Sequence, residues 1–312
     1  KRLTKLHLGL FRKVFMYMDS KGKKFCRNFT FEQICHKVIG SVKTNFLEFC
    51  YGYSLDFKEA NSVSARKNIE NELFNSNKMY FFKKGYNELY KNLYEDIKHN
   101  LDIKLNFEFC SFHENNKIIK INFDKGKNIV KARKLILCIS KDDLLKNCDS
   151  FKRNELRLFK SVVSGSLCRL FLQFDMSKRK NQWIKNLEFS AINNPLRQII
   201  PIRKKLGIIQ ISYTDWHYAD YWGNLPENQW VSLVKIFFKE VFNKDIDDPI
   251  WQKRYYFKNA IHCWKPGVNE TLMYKKIMNL RKNVFIAGES YSKIQGWCEG
   301  AILSSIDLVK NI

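Results

Sequence analysis

Residues 282–312 read KNVFIAGESYSKIQGWCEGAILSSIDLVKNI, and their pattern decides the fold. The run Val284-Phe285-Ile286-Ala287 is short and wholly apolar, as a strand covered on both faces is. Gly288-Glu289 ends it. A polar loop follows, and Gly296 then leads into Trp297-Cys298-Glu299-Gly300-Ala301, from which an apolar helix runs to the end. Strand, glycine, loop, glycine, helix is an arrangement suited to an anionic or electron-rich ligand. A glycine at 288 lets the backbone approach a ligand with no Cβ in the way, and Gly296 and Gly300 do the same at the helix start. The unpaired N–H groups and positive dipole end of that helix would face the ligand's electron density.

Upstream, the pattern alternates between covering helices and strands. NQWVSLVKIFFKEVF places Trp230, Leu233, Val234, Phe237, Phe238 and Val241 on one helical face, a cover for a sheet. SGSLCRLFLQFD, EFSAINNP and LGIIQISYTD supply strands, with turns at Asn193-Asn194-Pro195 and near Gly207. Earlier, IKLNFEFCSFHE and NKIIKINFD alternate as half-buried strands. DKGKN turns between the second of these and KARKLILCIS, whose apolar run LILCI predicts a strand covered on both faces. MYFF reads as a short strand before Gly85, and the following helix turns Leu89, Leu93 and Ile97 inward. Residues 1 to about 78 read as helices. Thr30 and Gln33 form a capping box, and Phe46, Phe49, Tyr51 and Tyr53 are core candidates.

The totals bound what the chain can do. Its 312 residues, 45 % of them hydrophobic, are enough to bury a substantial core. No apolar run approaches the ~20 residues of a membrane-spanning helix. The basic amphipathic start KRLTKLHLGLFRKVF carries too many charges for a secretory signal. Nine cysteines without a CxxC pair read as reduced thiols, hence a reducing, cytoplasmic compartment, and no set of four ligands at zinc spacing predicts a metal. The net charge of +24 attracts polyanions in general, but the lysines are spread along the whole chain, as on a solvated face. Nucleic acid is therefore a partner the charge permits and the pattern does not favour as the main role.

AGESYSKIQGWCEGAILSS, residues 287–305, resembles the C-terminal signature of the flavin-containing amine oxidases. Fainter matches fall in that family's order. FFKKGYNELYKNL resembles a glycine-pair segment in which Lys84 replaces one glycine. IKLNFEFCSF resembles the strand whose backbone contacts the adenine, placing Phe109 there. ARKLILCISKDDLLK resembles the strand and turn that lead into the substrate domain. The resemblance implies an α/β (α+β) fold with a partial FAD-binding Rossmann-like domain and a substrate domain of mixed sheet and covering helices. The implied segments are residues 1–78 (helical part of the substrate domain), 79–140 (FAD-domain segment), 141–281 (substrate-domain sheet and helices) and 282–312 (C-terminal FAD-domain strand and helix). It implies FAD as cofactor and an amine substrate oxidised to an imine, with dioxygen reduced to peroxide.

Carried over by position, Gly288 and Glu289 lie near the cofactor's ribityl and pyrophosphate, and Gly296 and the N–H of Cys298 meet the flavin. Trp297 and Trp264 form opposing cage walls, and Lys146 holds a water at flavin nitrogen 5. Each has a plainer reading: Trp297 as packing, Glu289 as a helix cap, Lys146 as a surface lysine, His262 as a satisfied structural histidine. Cys263 sits where some members bond flavin covalently, though most lack that bond. The family begins with a strand-GxGxxG-helix unit that grips the cofactor's phosphates, and none of the 13 glycines forms one. With Lys1 in place of a starting Met, this predicts a fragment of a longer protein that binds FAD poorly by itself. A desaturase or porphyrinogen-oxidase chemistry, and a non-catalytic basic scaffold that binds nucleic acid, are the alternatives the same residues leave open.

Overall fold

The computed structural model describes residues 2–74, 85–115 and 117–312, with side chains from Lys5. Lys84 and the MYFF stretch lie outside the described residues. Four helices open the chain: α1 (Arg2–Cys26), α2 (Phe31–Tyr51), α3 (Ser54–Lys58) and α4 (Ser62–Leu73). The capping box at α2 forms as the sequence predicts, with the Thr30 hydroxyl accepting from Gln33 N and the Gln33 side chain accepting from Thr30 N. These helices enclose one aromatic-rich core that includes Phe11, Phe31, Leu47, Phe57 and Ile69. Tyr51 lies in it, whereas Phe46, Phe49 and Tyr53 are only partly covered.

Helix α5 (Tyr86–Ile97) precedes an antiparallel meander of β1 (Phe109–Asn115), β2 (Ile118–Phe123) and β3 (Asn128–Ala132). KARKLILCIS is not one strand. Its first residues end β3, and Leu135–Leu137 form β4 in a different sheet, paired in parallel with β10 (Val284–Ile286). β10 is buried throughout, but Ile136 of β4 is exposed, so the expected cover on both faces of LILCI is lacking. On α5, Leu89, Leu93 and Ile97 are exposed and not turned inward, and no residue of this helix is buried.

After α6 (Lys141–Lys146) and α7 (Arg153–Phe159) comes a five-stranded antiparallel sheet in the order β6-β7-β8-β5-β9. Its strands are β5 (Val162–Gln173), β6 (Ser190–Ala191), β7 (Gln198–Arg203), β8 (Ile208–Asp215) and β9 (Trp251–Trp264). Helices α8 (Trp216–Asn224) and α9 (Trp230–Phe242) cover one face, where Leu170, Leu172, Ile209 and Ile211 meet Trp222, Trp230 and Phe238. The apolar stripe read on α9 is the face that packs, although Val241 at its end stays exposed. α10 (Glu270–Met278), β10 and α11 (Cys298–Val309) complete the chain.

Two polar devices position the end of β9 and the start of β10. Asn61 donates its N–H (2.8 Å) and its side-chain amide (3.3 Å) to the Trp264 carbonyl, tying the start of α4 to the end of β9. Arg281 donates to both carboxylate oxygens of buried Glu155 (2.7 and 2.6 Å) and to the Ser150 carbonyl, fixing the approach to β10. Burial alone would raise Glu155, but the Arg281 guanidinium outweighs it and holds the carboxyl below its usual range.

Candidate functional site

The carboxyl ends of β4 and β10 lie side by side, and each leads through a loop to a helix start. Ala287 N donates to Leu137 O (3.1 Å), which extends the parallel pairing by one bond. On the β4 side, Ser140 caps α6 by accepting from Asp143 N (3.2 Å). On the β10 side, the chain turns at Gly288 (φ 131°), loops through residues 289–296 and turns again at Gly296 (φ 80°) into α11. Both glycines adopt conformations that L side chains rarely take, and both have open space where a Cβ would stand. Ser304 of α11 accepts from Gly288 N (2.9 Å), locking the helix onto the strand end. At Gly300 a Cβ would come within 1.8 Å of the Ile294 carbonyl, so the loop lies directly on the first turn of the helix.

The first N–H groups of α11 receive no side-chain cap. Trp297, the N-cap residue, is 45 % exposed, and Cys298 is exposed. The helix start therefore presents its positive end to open space beside two glycines.

Glu289 points back into the protein. Its Oε1 accepts from His262 N (3.1 Å) and from Gly296 N, and its Oε2 accepts from His262 Nδ1 (2.6 Å). The acid thus holds the loop shut on itself, with both oxygens engaged by protein donors. His262 is 4 % exposed and satisfied, the structural reading of its sequence position. Its Nε2 faces Ser290 Oγ (3.5 Å) and Asp142 Oδ2 (3.9 Å). Asp142 and Ser290 were not legible as site residues. One is an ordinary acid in the first turn of a short helix, the other a loop serine, and only the long register of β9 brings His262 between them.

The remaining candidates are dispersed. Trp264 is 3 % exposed, its ring packed on Tyr291 (6.2 Å between centroids), and it lines a cavity of about 920 Å³ between α1, α4, α10 and residues 292–295. Trp297 does not line that cavity, and among the described rings the two tryptophans make no contact. The structure does not bring them together as facing walls, because Trp264 is fixed at the end of β9 by its pairing with Val162. The Lys146 side chain is 71 % exposed and its ammonium lies 3.6 Å from Glu108, at the protein surface. Phe109 sits in β1 against Phe123 (6.3 Å between centroids). Cys263 is buried in the helical core, and burial pushes its thiol well above the ordinary range, which disfavours the thiolate that a covalent bond requires.

A helix start at the carboxyl ends of parallel strands, in a chain with a separate antiparallel sheet, places the protein in the mixed α/β class. The matches to known proteins are narrower. Residues 5–312 match the family described as flavin-containing amine oxidoreductase, and the chain belongs to that family. FAD is therefore its expected cofactor. A crystal structure from Exiguobacterium sp. 255-15, provisionally described as a protoporphyrinogen oxidase, shares the fold at a TM-score of 0.68 and 10 % identity. The alignment covers 91 % of this chain and 66 % of that one, so this chain spans a little under two thirds of its length. No curated protein matches the sequence. Among the described residues, no helix is long and apolar enough to cross a membrane.

Proposed function

We propose that this chain provides the ring-facing and substrate-side parts of an FAD-dependent oxidoreductase that acts on a small amine with dioxygen as electron acceptor. The observation that carries the reading is the uncapped start of α11, open to solvent beside Gly288 and Gly296 at the ends of two parallel strands. When bound, the flavin supplies the two-electron redox chemistry. The residues present fit the ring end of that group. The N–H of Cys298 and the helix dipole stabilise negative charge at the ring's pyrimidine side, the two glycines leave room for it, and Trp297 forms one wall of the substrate space. An aromatic wall attracts a cationic amine through its π-face and keeps water from the reacting carbon. The backbone of Phe109 is assigned to the adenine end. A grip on the pyrophosphate is not among the residues of this chain, which has no GxGxxG.

A second reading has a specific observation in its favour. The solved neighbour described provisionally as a protoporphyrinogen oxidase has the same fold, and ring dehydrogenation uses the same cofactor placement. The two separate in one experiment. Full-length, flavin-loaded protein is screened against small amines and a porphyrinogen while hydrogen peroxide is measured. Amine-dependent peroxide supports the first reading. Peroxide formed with the porphyrinogen and with no amine replaces it by the second.

A further inference from the structure

A chain of hydrogen bonds runs from the start of α6 to the residues just before α11, and it passes through one buried imidazole. Lys141 N, at the first position of α6, donates to Ser290 Oγ (3.3 Å). Ser290 Oγ lies 3.5 Å from His262 Nε2. His262 Nδ1 meets Glu289 Oε2 at 2.6 Å, and Glu289 Oε1 accepts from His262 N (3.1 Å) and from Gly296 N. Because the carboxylate accepts, Nδ1 donates to it, and Nε2 is left facing the serine hydroxyl. Asp142 stands on the same side of the ring at 3.9 Å, held by the Ser164 hydroxyl of β5 and by the Lys141 ammonium (3.1 Å). Gln295 adds a bond from its side-chain amide to the Ser290 carbonyl (2.6 Å).

The arrangement is specific in what it joins. β4 and β10 pair over three residues each, extended by the bond from Ala287 N to Leu137 O. His262 is a side chain of a third element that touches both segments, through Glu289 and Ser290 on one side and Asp142 on the other. It comes from β9, whose other end is fixed in the antiparallel sheet. We propose that His262 is a positioning residue that sets the starts of α6 and α11 relative to each other, one ring nitrogen serving each side. This rests on the flavin reading only for its consequence, that the helix starts set in this way are the ones that face the ring. The clamp itself is a property of the chain alone.

The test therefore uses the chain without flavin, reading backbone amide hydrogen exchange at Lys141 and Gly296. His262→Phe keeps bulk and removes both nitrogens, so both amides, 155 positions apart in sequence, should exchange roughly tenfold faster. His262→Asn keeps a donor near the Nδ1 position and lacks a group at Nε2. It should restore protection at Gly296 and leave Lys141 fast. Ser290→Ala, a small change that retains the fold if His262→Phe does not, should speed Lys141 and spare Gly296. Split behaviour of this kind supports the clamp, since general loosening would move both sites together in every variant. The proposal is overturned if His262→Phe leaves either amide at its native rate, or if His262→Asn and Ser290→Ala each change both equally. Absence of flavin binding in any of these variants bears on the function reading and not on the clamp.

Discussion

Glu72 and Asp215 are carboxylates whose environment works against their charge. Burial, together with neighbouring Asp56, pushes Glu72 up to about 7, although hydrogen bonds from Tyr51 and Tyr53 oppose the shift. Burial likewise takes Asp215 up to about 6, while Ser54 N and Leu55 N donate to its two oxygens (2.9 and 2.8 Å) and pull it down. In an unfolded chain both groups titrate near ~4. Between that value and pH 6–7 the folded chain holds protons that the unfolded chain has released, so these two groups favour the fold fully below pH ~4 and lose that effect as pH rises. Glu72→Gln removes one such group. The stability difference between wild type and this variant should shift against wild type by about 1–3 kcal/mol from pH 5 to pH 8, read from urea midpoints. A difference independent of pH would show that Glu72 titrates normally. No part of this was legible in the sequence, where Glu72 is one acid on a polar helix. Gly288, Gly296 and Trp297 were legible because their meaning is local: positive φ, open space and a helix start follow from neighbours within ten residues. Trp264 and Lys146 were not, since their surroundings come from α4, β1 and β5, which adjacency in sequence does not reveal.

Elements with a strong internal period were read correctly, and those whose cover lies far away were not. The stripe on α9 follows from its own spacing. The β1–β2 pair follows from alternation, whereas β3 lies earlier than the strand read at KARKLILCIS. β9 escaped notice because WQKRYYFKNAIHCW mixes aromatics with basic residues on an exposed edge strand, so no buried stripe marks it. α5 is the opposite case: its apolar spacing is clear, yet no residue of it is buried. This sets up a contrast in stability. Leu93→Gln on α5 should change the unfolding free energy by under ~0.5 kcal/mol, whereas Phe238→Ala on α9 should cost about 3–5 kcal/mol. Equal losses would mean that α5 is buried in solution. The approach to β10 depends on an ion pair in place of packing. Arg281→Met leaves the Glu155 carboxylate buried without its partner and should destabilise by about 3–5 kcal/mol, with Glu155→Gln in the same background recovering much of the loss. If the second change brings no recovery, the pair is not the mechanism.

At the scale of the molecule, two features set what the chain can do with a flavin. The first is that β4 and β10 form a parallel pair of only three residues each, with Ile136 exposed, although parallel sheets are ordinarily covered on both faces. The second is that the start of α11 carries no side-chain cap while the sequence holds no GxGxxG turn, so the proposed role is confined to the ring end. The α/β class and the family membership were both legible in the last thirty residues, because a ligand site constrains sequence more tightly than a sheet does. The charge of +24 acts on any polyanion, so a measurement of flavin affinity must screen it.

On the proposed function, this chain meets the isoalloxazine and not the pyrophosphate. The direct test is a fluorescence titration of the purified chain with FAD and with riboflavin at ~0.3 M salt, where a Debye length of roughly 5–6 Å removes long-range attraction. Both should bind weakly, with Kd above roughly 100 µM and FAD favoured by no more than about threefold, because the pyrophosphate finds no grip and the Phe109 backbone adds little for the adenine. Tight stoichiometric binding of FAD, preferred tenfold or more over riboflavin, would contradict it.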